Sequence, residues 1–154
     1  VGERLKPLDI DVKLWHLLVF PGFRTATKGV YKAFDRLDFA LTGKMGDVRI
    51  HPSISGTTGF KAIEAMLYND LQCAAISEKK VLGSIIRRLT ASLGKRIVLS
   101  GSGSSVFCLY RTGKEAAKAK ARIYRSIPAE TRKRWSIIVA KTENFKELVW
   151  KSPM

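Results

Sequence analysis

Six residues, Ser100 to Ser105 (SGSGSS), have the types and spacing that can bind an anion. Gly101 and Gly103 can adopt positive φ, and a backbone that alternates in the sign of φ can point successive N–H groups into one concavity. Ser100, Ser102, Ser104 and Ser105 add hydroxyl donors. No Gly-Lys-Ser/Thr follows, and the third glycine of a dinucleotide fingerprint is missing. The residues alone leave two readings open, an anion-binding turn or a flexible hairpin.

A second candidate site follows Pro21-Gly22, where a helix is predicted to begin. Thr27 and Tyr31 are four residues apart, so they would share one helix face near its N-terminus. A helix start offers free N–H groups and the positive end of the dipole, which suit an anionic ligand. The Tyr31 ring could stack on a planar base. The alternative is that Thr27 only caps the helix and Tyr31 only packs.

The other polar residues predict neither catalysis nor a metal site. His16 and His51 have no cysteine or acidic residue at ligand spacing. The chain has no Gly-x-Ser-x-Gly elbow, and Asp35 and Asp38 are interpreted as a solvated pair. The run of basic residues after Thr112 is interpreted in the same way, as the solvated face of a helix. From the residues alone, neither a metal site nor a catalytic triad can be argued.

Positive charge is concentrated in the second half of the chain. The net charge is +15; residues 1–77 carry 10 basic and 8 acidic side chains, whereas residues 78–154 carry 18 and 5. This asymmetry favours a polyanionic partner, such as RNA, a nucleotide or a phosphorylated substrate. An RNA-recognition sheet should show a Lys/Arg-Gly-aromatic pattern on its third strand. Phe107 and Tyr110 lack that pattern, so nucleic acid is the less favoured partner.

Length and composition predict one folded domain outside the membrane. The 154 residues are 45% hydrophobic and 27% charged, which excludes a disordered or collagen-like chain. Cys73 and Cys108 form no disulfide framework, no apolar run approaches 18 residues, and the N-terminus lacks the apolar core of a signal peptide. We therefore expect a cytoplasmic protein. Because the chain begins with Val1, we interpret it as a piece of a longer one.

Apolar periodicity and turn residues predict four strands. These strands are Lys13–Phe20, Lys95–Leu99, Val106–Tyr110 and Arg134–Ala140. Between the first two, the sequence predicts a helix capped by Thr25 or Thr27 and a long loop over residues 43–59. A short helix follows the loop and ends near Asn69-Asp70.

Two longer helices carry the strongest signals. One is capped by Ser77, ends at Gly94 and carries an apolar stripe composed of Leu82, Ile85, Ile86, Leu89 and Leu93. The other begins at a capping box formed by Thr112 and Glu115. Without the inserted loop and short helix, the order is β-α-β-β-α-β. This order predicts an α+β fold, the ferredoxin-like split β-α-β sandwich, with an antiparallel sheet and helices on one face.

Four motifs, in order and at matching spacing, resemble the C-terminal half of a GHMP-superfamily small-molecule kinase. They are LSGSGSSVFCLY (Leu99–Tyr110), similar to the third family motif; LYNDLQ (Leu67–Gln72), similar to its Asn-Asp-Leu-acidic signature; LLVFPGFRTATKGVY (Leu17–Tyr31); and VGERLKPL, similar to the segment that joins the two halves. The chain most resembles the branch of the family whose substrate carries a cytidine diphosphate group. Homoserine, mevalonate and galactose kinases are the alternatives.

The resemblance implies roles for both candidate sites. It implies that Gly101, Ser102, Gly103 and Ser104 lie beside the phosphates in an interdomain cleft. It also implies that Thr27 and Tyr31 line the nucleotide side of the substrate pocket. The signature ends in Gln72 where the family usually has an acid, and we expect a structural role there.

The resemblance also implies that the catalytic groups are elsewhere. The family's catalytic Lys, its Asp base and its ATP-binding loop belong to an N-terminal domain absent from this chain. Residues 1–12 would be the linker, and residues 13–154 the C-terminal domain. ATP and Mg²⁺ are expected in the full-length enzyme, with none bound to this chain alone. The expected partners are the N-terminal domain of the same polypeptide and a cytidyl-diphosphate substrate, and the isolated chain is expected to be inactive.

Overall fold

The computed structural model describes residues 12–37 and 56–142, with no side-chain description for 56–58. The strands and helices in these ranges are β1 (Trp15–Phe20), α1 (Thr27–Asp35), α2 (Gly56–Met66), α3 (Leu71–Glu78), α4 (Lys80–Leu93), β2 (Val98–Leu99), β3 (Val106–Tyr110), α5 (Gly113–Ser126), α6 (Ala129–Arg134) and β4 (Ser136–Lys141). The predicted linker, residues 1–12, lies outside the described ranges except for its last residue.

The four strands form one antiparallel sheet in the order β2-β3-β1-β4. In the centre, Leu17 of β1 is opposite Cys108 of β3 on one side and Val139 of β4 on the other. The predicted α+β class with an antiparallel sheet is confirmed, and the ferredoxin-like detail stays a prediction. Because β2 and β3 are adjacent, the turn that joins them lies at one end of the sheet.

The core lies between one face of the sheet and the helices. Leu17, Val19, Val106 and Cys108 are alternate residues on β1 and β3, and they are at most 2% exposed. The predicted stripe of α4 is buried, except for Leu93, which is partly buried and packs against the core. The hydrophobic effect therefore holds α4 and α5 against the strands that carry the glycine-serine turn.

Two helix termini agree with their sequence signals. Gly94 follows α4 in the left-handed region with φ of 61°, where a residue with Cβ would be strained. Thr112 and Glu115 form the predicted capping box, with both hydrogen bonds at 3.2 Å. Both signals depend only on neighbouring residues.

The predicted cap at Ser77 is wrong. Ser77 lies within α3, and its Oγ donates a hydrogen bond of 2.8 Å to Ala74 O, whereas α4 begins at Lys80. Helix α3 packs against α1, with Ala74 and Ala75 fully buried. Two small side chains allow this close approach but produce no amphipathic stripe, so no periodic pattern indicates a separate helix.

Other predicted boundaries also need correction. Residues 56–59 of the predicted loop belong to α2, and residues 43–55 lie outside the described ranges. Strand β2 has two residues rather than five, because only Val98 and Leu99 pair with β3. The chain after Pro128 forms α6, so the last strand begins at Ser136 rather than Arg134.

Candidate functional site

The glycine-serine turn (residues 100–105) joins β2 to β3 in a closed conformation. Ser100 N donates to Ser105 O at 2.9 Å, and Gly103 N donates to Ser100 O at 3.1 Å. Gly101 and Gly103 have φ of 58° and 89°, and the Gly103–Ser104 peptide bond is cis. A Cβ on Gly103 would lie 2.9 Å from Leu99 Cδ1, whereas nothing lies within 4 Å of one on Gly101. Gly103 is therefore required by both its φ and its surroundings.

The start of α1 lies against this turn. Thr25 Oγ1 donates a hydrogen bond of 2.8 Å to Ser102 O, and Thr27 Oγ1 lies 3.0 Å from Ser102 Oγ. Neither threonine caps α1, whose N-cap position is Ala26, so the predicted side-chain cap is wrong. The threonine hydroxyls bind the turn instead. The structure thus brings the two candidate sites together as one.

Asn69 and Gln72 hold the turn from the other side. Asn69 Nδ2 donates to Leu99 O at 2.7 Å and to Gly101 O at 2.8 Å, while its Oδ1 accepts from Leu71 N at 2.9 Å. Gln72 Oε1 accepts from Leu99 N at 2.9 Å. We call these two residues the amide clamp. Sequence reasoning assigned Asn69 no role, and the position of LYNDLQ among the four motifs was the only signal for it.

The Ser104 side chain has a structural role in the turn. Its side chain is 6% exposed, and Oγ donates a hydrogen bond to Phe23 O. A cavity of about 350 Å³ lies beside it, lined by Phe20, Phe23, Arg24 and residues 103–105 among others. The Ser104 hydroxyl therefore fixes the chain after β1 against the turn, and its proton is not free for a ligand.

Several donors of the site remain available. Within the described ranges, the N–H groups of Gly101, Ser102 and Ser104 have no acceptor. The first N–H groups of α1 have no intrahelical acceptor, because these are the unpaired donors at any helix start. The pair formed by Thr27 and Ser102 needs only one of its two hydroxyl protons for the mutual hydrogen bond. These neutral donors suit a phosphate group.

Tyr31 lies one turn along α1 from Thr27 and points away from the core. Its side chain is 51% exposed, whereas Val30 beside it is fully buried. The ring is free to contact a ligand bound at the start of α1.

Three groups with shifted pKa values, Cys108, Tyr110 and His16, do not belong to this site. Burial raises the pKa of Cys108 to about 11 and also raises that of Tyr110. Burial lowers the pKa of His16, whose Nε2 lies 2.8 Å from Thr142 Oγ1. In the described part of the chain, no group of three or more His, Cys, Asp or Glu side chains could hold a metal ion. The same residues include no helix that is long and apolar enough to cross a membrane.

Comparisons with known proteins show which family the chain resembles. Residues 56–129 match the family described as "GHMP kinases C terminal". Two relatives named 4-diphosphocytidyl-2-C-methyl-D-erythritol kinase come from Syntrophotalea carbinolica and Pelobacter propionicus. The first is 29% identical over 77% of this chain and 40% of its own length, and the second is 34% identical over 78% and 41%.

A solved structure is similar over most of the chain. It is the crystal structure of 4-(cytidine 5'-diphospho)-2C-methyl-D-erythritol kinase, with 25% identity and a TM-score of 0.55. The match covers 91% of this chain and 46% of that one. The chain thus spans about 40% of the length of the curated relatives it matches.

Proposed function

We propose that this chain is the substrate-side part of an ATP-dependent kinase, because residues 56–129 match the family described as "GHMP kinases C terminal". The proposed substrate is 4-diphosphocytidyl-2-C-methyl-D-erythritol, an intermediate of isoprenoid biosynthesis, and the reaction phosphorylates one of its hydroxyl groups. The observation that carries this proposal is the contact of Thr27 with Ser102, which joins the proposed nucleotide-binding face to the glycine-serine turn.

The turn is proposed to hold phosphate groups through neutral donors. The N–H groups of Gly101, Ser102 and Ser104 are available, whereas Gly103 N–H is used within the turn. Gly103 therefore shapes the site rather than donating to the ligand. Phosphoryl transfer depends mainly on positioning and on stabilising charge around the phosphates, so a rigid set of donors is a suitable contribution from this domain.

Thr27 and Tyr31 are proposed to bind the cytidine side of the substrate. Tyr31 would lie against the planar base, and Thr27 would orient the adjoining diphosphate next to the turn. The exposure of Tyr31 supports this role. Homoserine, mevalonate and galactose kinases have substrates without a base, so an exposed tyrosine at this position favours the cytidyl branch of the family.

The donor set fits a nucleotide phosphate, and we propose ATP as the phosphoryl donor. ATP supplies the transferred phosphoryl group, and Mg²⁺ would neutralise charge on its phosphates. The described residues near the turn provide N–H and hydroxyl groups rather than carboxylates, so we assign the Mg²⁺ ligands to the N-terminal domain. This domain is the proposed partner in the same polypeptide, and it would also provide the catalytic Lys and the Asp base.

Two further parts of the proposal concern the isolated chain and its location. We expect residues 1–154 alone to bind the substrate weakly and to show no phosphorylation above background, because one wall of a cleft pre-organises a ligand poorly. A cytoplasmic location is proposed for the enzyme. The free thiols of Cys73 and Cys108 support this location, because a reducing compartment maintains them.

Replacement of Tyr31 tests the proposal in the intact enzyme, with this chain joined to its N-terminal domain. Tyr31→Ala should weaken binding of the cytidyl substrate by about 1–2 kcal/mol, or roughly tenfold, because it removes an aromatic contact with the base. Tyr31→Phe, the matched control, keeps the ring and should stay within about twofold of the unmodified enzyme. The KM for each substrate should be measured. An equal rise in the KM for ATP would count against the assignment.

A further inference from the structure

A second, larger cavity lies at the opposite end of β3 from the glycine-serine turn. Its volume is about 840 Å³, and it lies between α2, the end of α4, the end of β3 and α5. Tyr110, the last residue of β3, lines it, whereas the turn precedes Val106. Four residues of extended strand span about 13 Å, so the two sites are separate. The inference drawn here does not depend on the proposed kinase function.

Six cationic side chains from four parts of the chain line this cavity. They are Lys61, Lys95, Arg111, Lys118, Arg122 and Arg125. Three of the six, Lys118, Arg122 and Arg125, occur at helical spacing on one face of α5. The sequence alone predicts a solvated face for the whole basic run of α5. The structure separates these three from Lys114 and Lys120, which do not line the cavity.

The two carboxylates of the cavity already have partners. Glu64 Oε1 accepts from Lys95 Nζ at 2.6 Å, and Glu115 Oε2 accepts from Thr112 N in the capping box. Among the described residues, Lys61, Lys118 and Arg125 take part in no ion pair. The six cations of the cavity outnumber its two carboxylates, and this excess of positive charge favours an anionic ligand.

The floor of the cavity is apolar. Phe60 is 4% exposed and Tyr110 is 7% exposed, and Ala119 of α5 and Leu93 of α4 also line the cavity. Cations lie directly over this floor: Lys95 Nζ is 5.4 Å from both ring centroids, and Arg111 Cζ is 5.2 Å from that of Phe60. The apolar surface that a ligand can still reach comes from Leu93, which is partly buried, and from Ala121, which is exposed.

We propose that this cavity binds a small organic phosphate that has an apolar body. The phosphate interacts with Lys118, Arg122 and Arg125, which offer charge-assisted hydrogen bonds. The apolar body lies against Leu93 and Ala121, where its burial contributes to affinity. A volume of about 840 Å³ is within the range of cavities that hold small ligands.

An NMR titration of residues 1–154 tests the proposal with three probes. The probes are 1-naphthyl phosphate, inorganic phosphate and 1-naphthol, which represent the whole ligand, the anion alone and the apolar body alone. We expect 1-naphthyl phosphate to shift the amide signals of α2 and α5 around the cavity. It should bind at least tenfold more tightly than either part, and its affinity should fall as salt rises, because the cations are exposed.

A pair of variants with equal charge provides the control. The double variant Lys118→Gln/Arg122→Gln removes two cavity cations and should weaken the binding of 1-naphthyl phosphate about tenfold. The double variant Lys114→Gln/Lys120→Gln makes the same change of charge on the same helix, outside the cavity. Its affinity for 1-naphthyl phosphate should stay within about twofold of that of the unmodified chain. The proposal is wrong if 1-naphthyl phosphate does not bind at millimolar concentration or if both double variants weaken it equally. It is also wrong if inorganic phosphate binds equally well, or if the shifted signals belong to the glycine-serine turn.

Discussion

Replacement of Asn69 should loosen the glycine-serine turn, because this side chain holds three backbone groups at once. Nδ2 donates to Leu99 O and Gly101 O, and Oδ1 accepts from Leu71 N. A hydrogen bond contributes a net of about 1 kcal/mol to stability, and two of the three involve residues that are only partly buried. Asn69→Ala should therefore lower the free energy of unfolding by about 2–3 kcal/mol.

The measurement is urea denaturation of residues 1–154, followed by tryptophan fluorescence. A loss of this size also corresponds to a decrease in Tm of roughly 5–10 °C for a chain of this length. In the intact enzyme, the same variant should reduce phosphoryl transfer by a larger factor than it reduces the folded fraction, because the N–H donors of the turn lose their fixed positions. A stability loss below about 0.5 kcal/mol would refute the reasoning, because the amide clamp would then contribute too little to fix the turn.

Asn69→Asp separates the donor role of this residue from its acceptor role. The carboxylate can still accept from Leu71 N, but it faces the carbonyl oxygens of Leu99 and Gly101, which both need a donor. These carbonyls favour the protonated acid, so the pKa of the introduced carboxyl in the folded state should rise above about 4. The free energy of unfolding of the Asn69→Asp variant should therefore be closest to that of the unmodified chain below about pH 4. The difference between the two should grow as pH rises through the folded-state pKa.

Two further predictions concern the turn and the core. Gly103→Val in the intact enzyme should strongly reduce turnover, because φ of 89° and a Cβ position 2.9 Å from Leu99 Cδ1 both exclude a β-branched residue. Turnover and thermal unfolding should be measured together. Unchanged turnover would show that the turn is only a hairpin and does not bind an anion. Burial raises the pKa of Cys108 to about 11, so at pH 8 a disulfide reagent should label exposed Cys73 quickly and Cys108 only after unfolding. The stability from burying the neutral Cys108 thiol should be present below pH 9 and be lost as pH rises to about 11. Rapid labelling of both thiols at pH 8 would contradict the predicted protection of Cys108.

Local signals in the sequence correctly predicted the elements that frame the site. Val106–Tyr110 is β3 at the predicted boundaries, Gly94 ends α4, and Thr112 with Glu115 begins α5. Each of these features depends on residues within one turn or one strand of each other. The positive φ of Gly101 is also of this kind, because a chain that reverses direction between two short strands needs residues without Cβ.

The amide clamp shows where local signals are insufficient. Asn69 lies just before α3, and Gln72 lies in its first turn. The Asn69 Oδ1 accepts from nearby Leu71 N, but nothing nearby indicates which groups Asn69 Nδ2 and Gln72 Oε1 bind. Asn69 reaches carbonyl groups 30 and 32 residues later in the chain. Only the packing of α3 beside β2 places it there, so no periodic pattern or capping rule could identify its role.

The sequence by itself determined the order of the four strands, the presence of the long helices and the glycines of the turn, because backbone sterics and apolar periodicity act over a few residues. The tertiary structure alone decided what the polar side chains bind. Thr25 and Thr27 have the local option of capping α1, but they hydrogen bond to Ser102, about 75 residues away in the chain, because the folded turn offers them better-placed partners. Hydrogen bonds and charges pair by distance in space, and only the packed fold sets that distance.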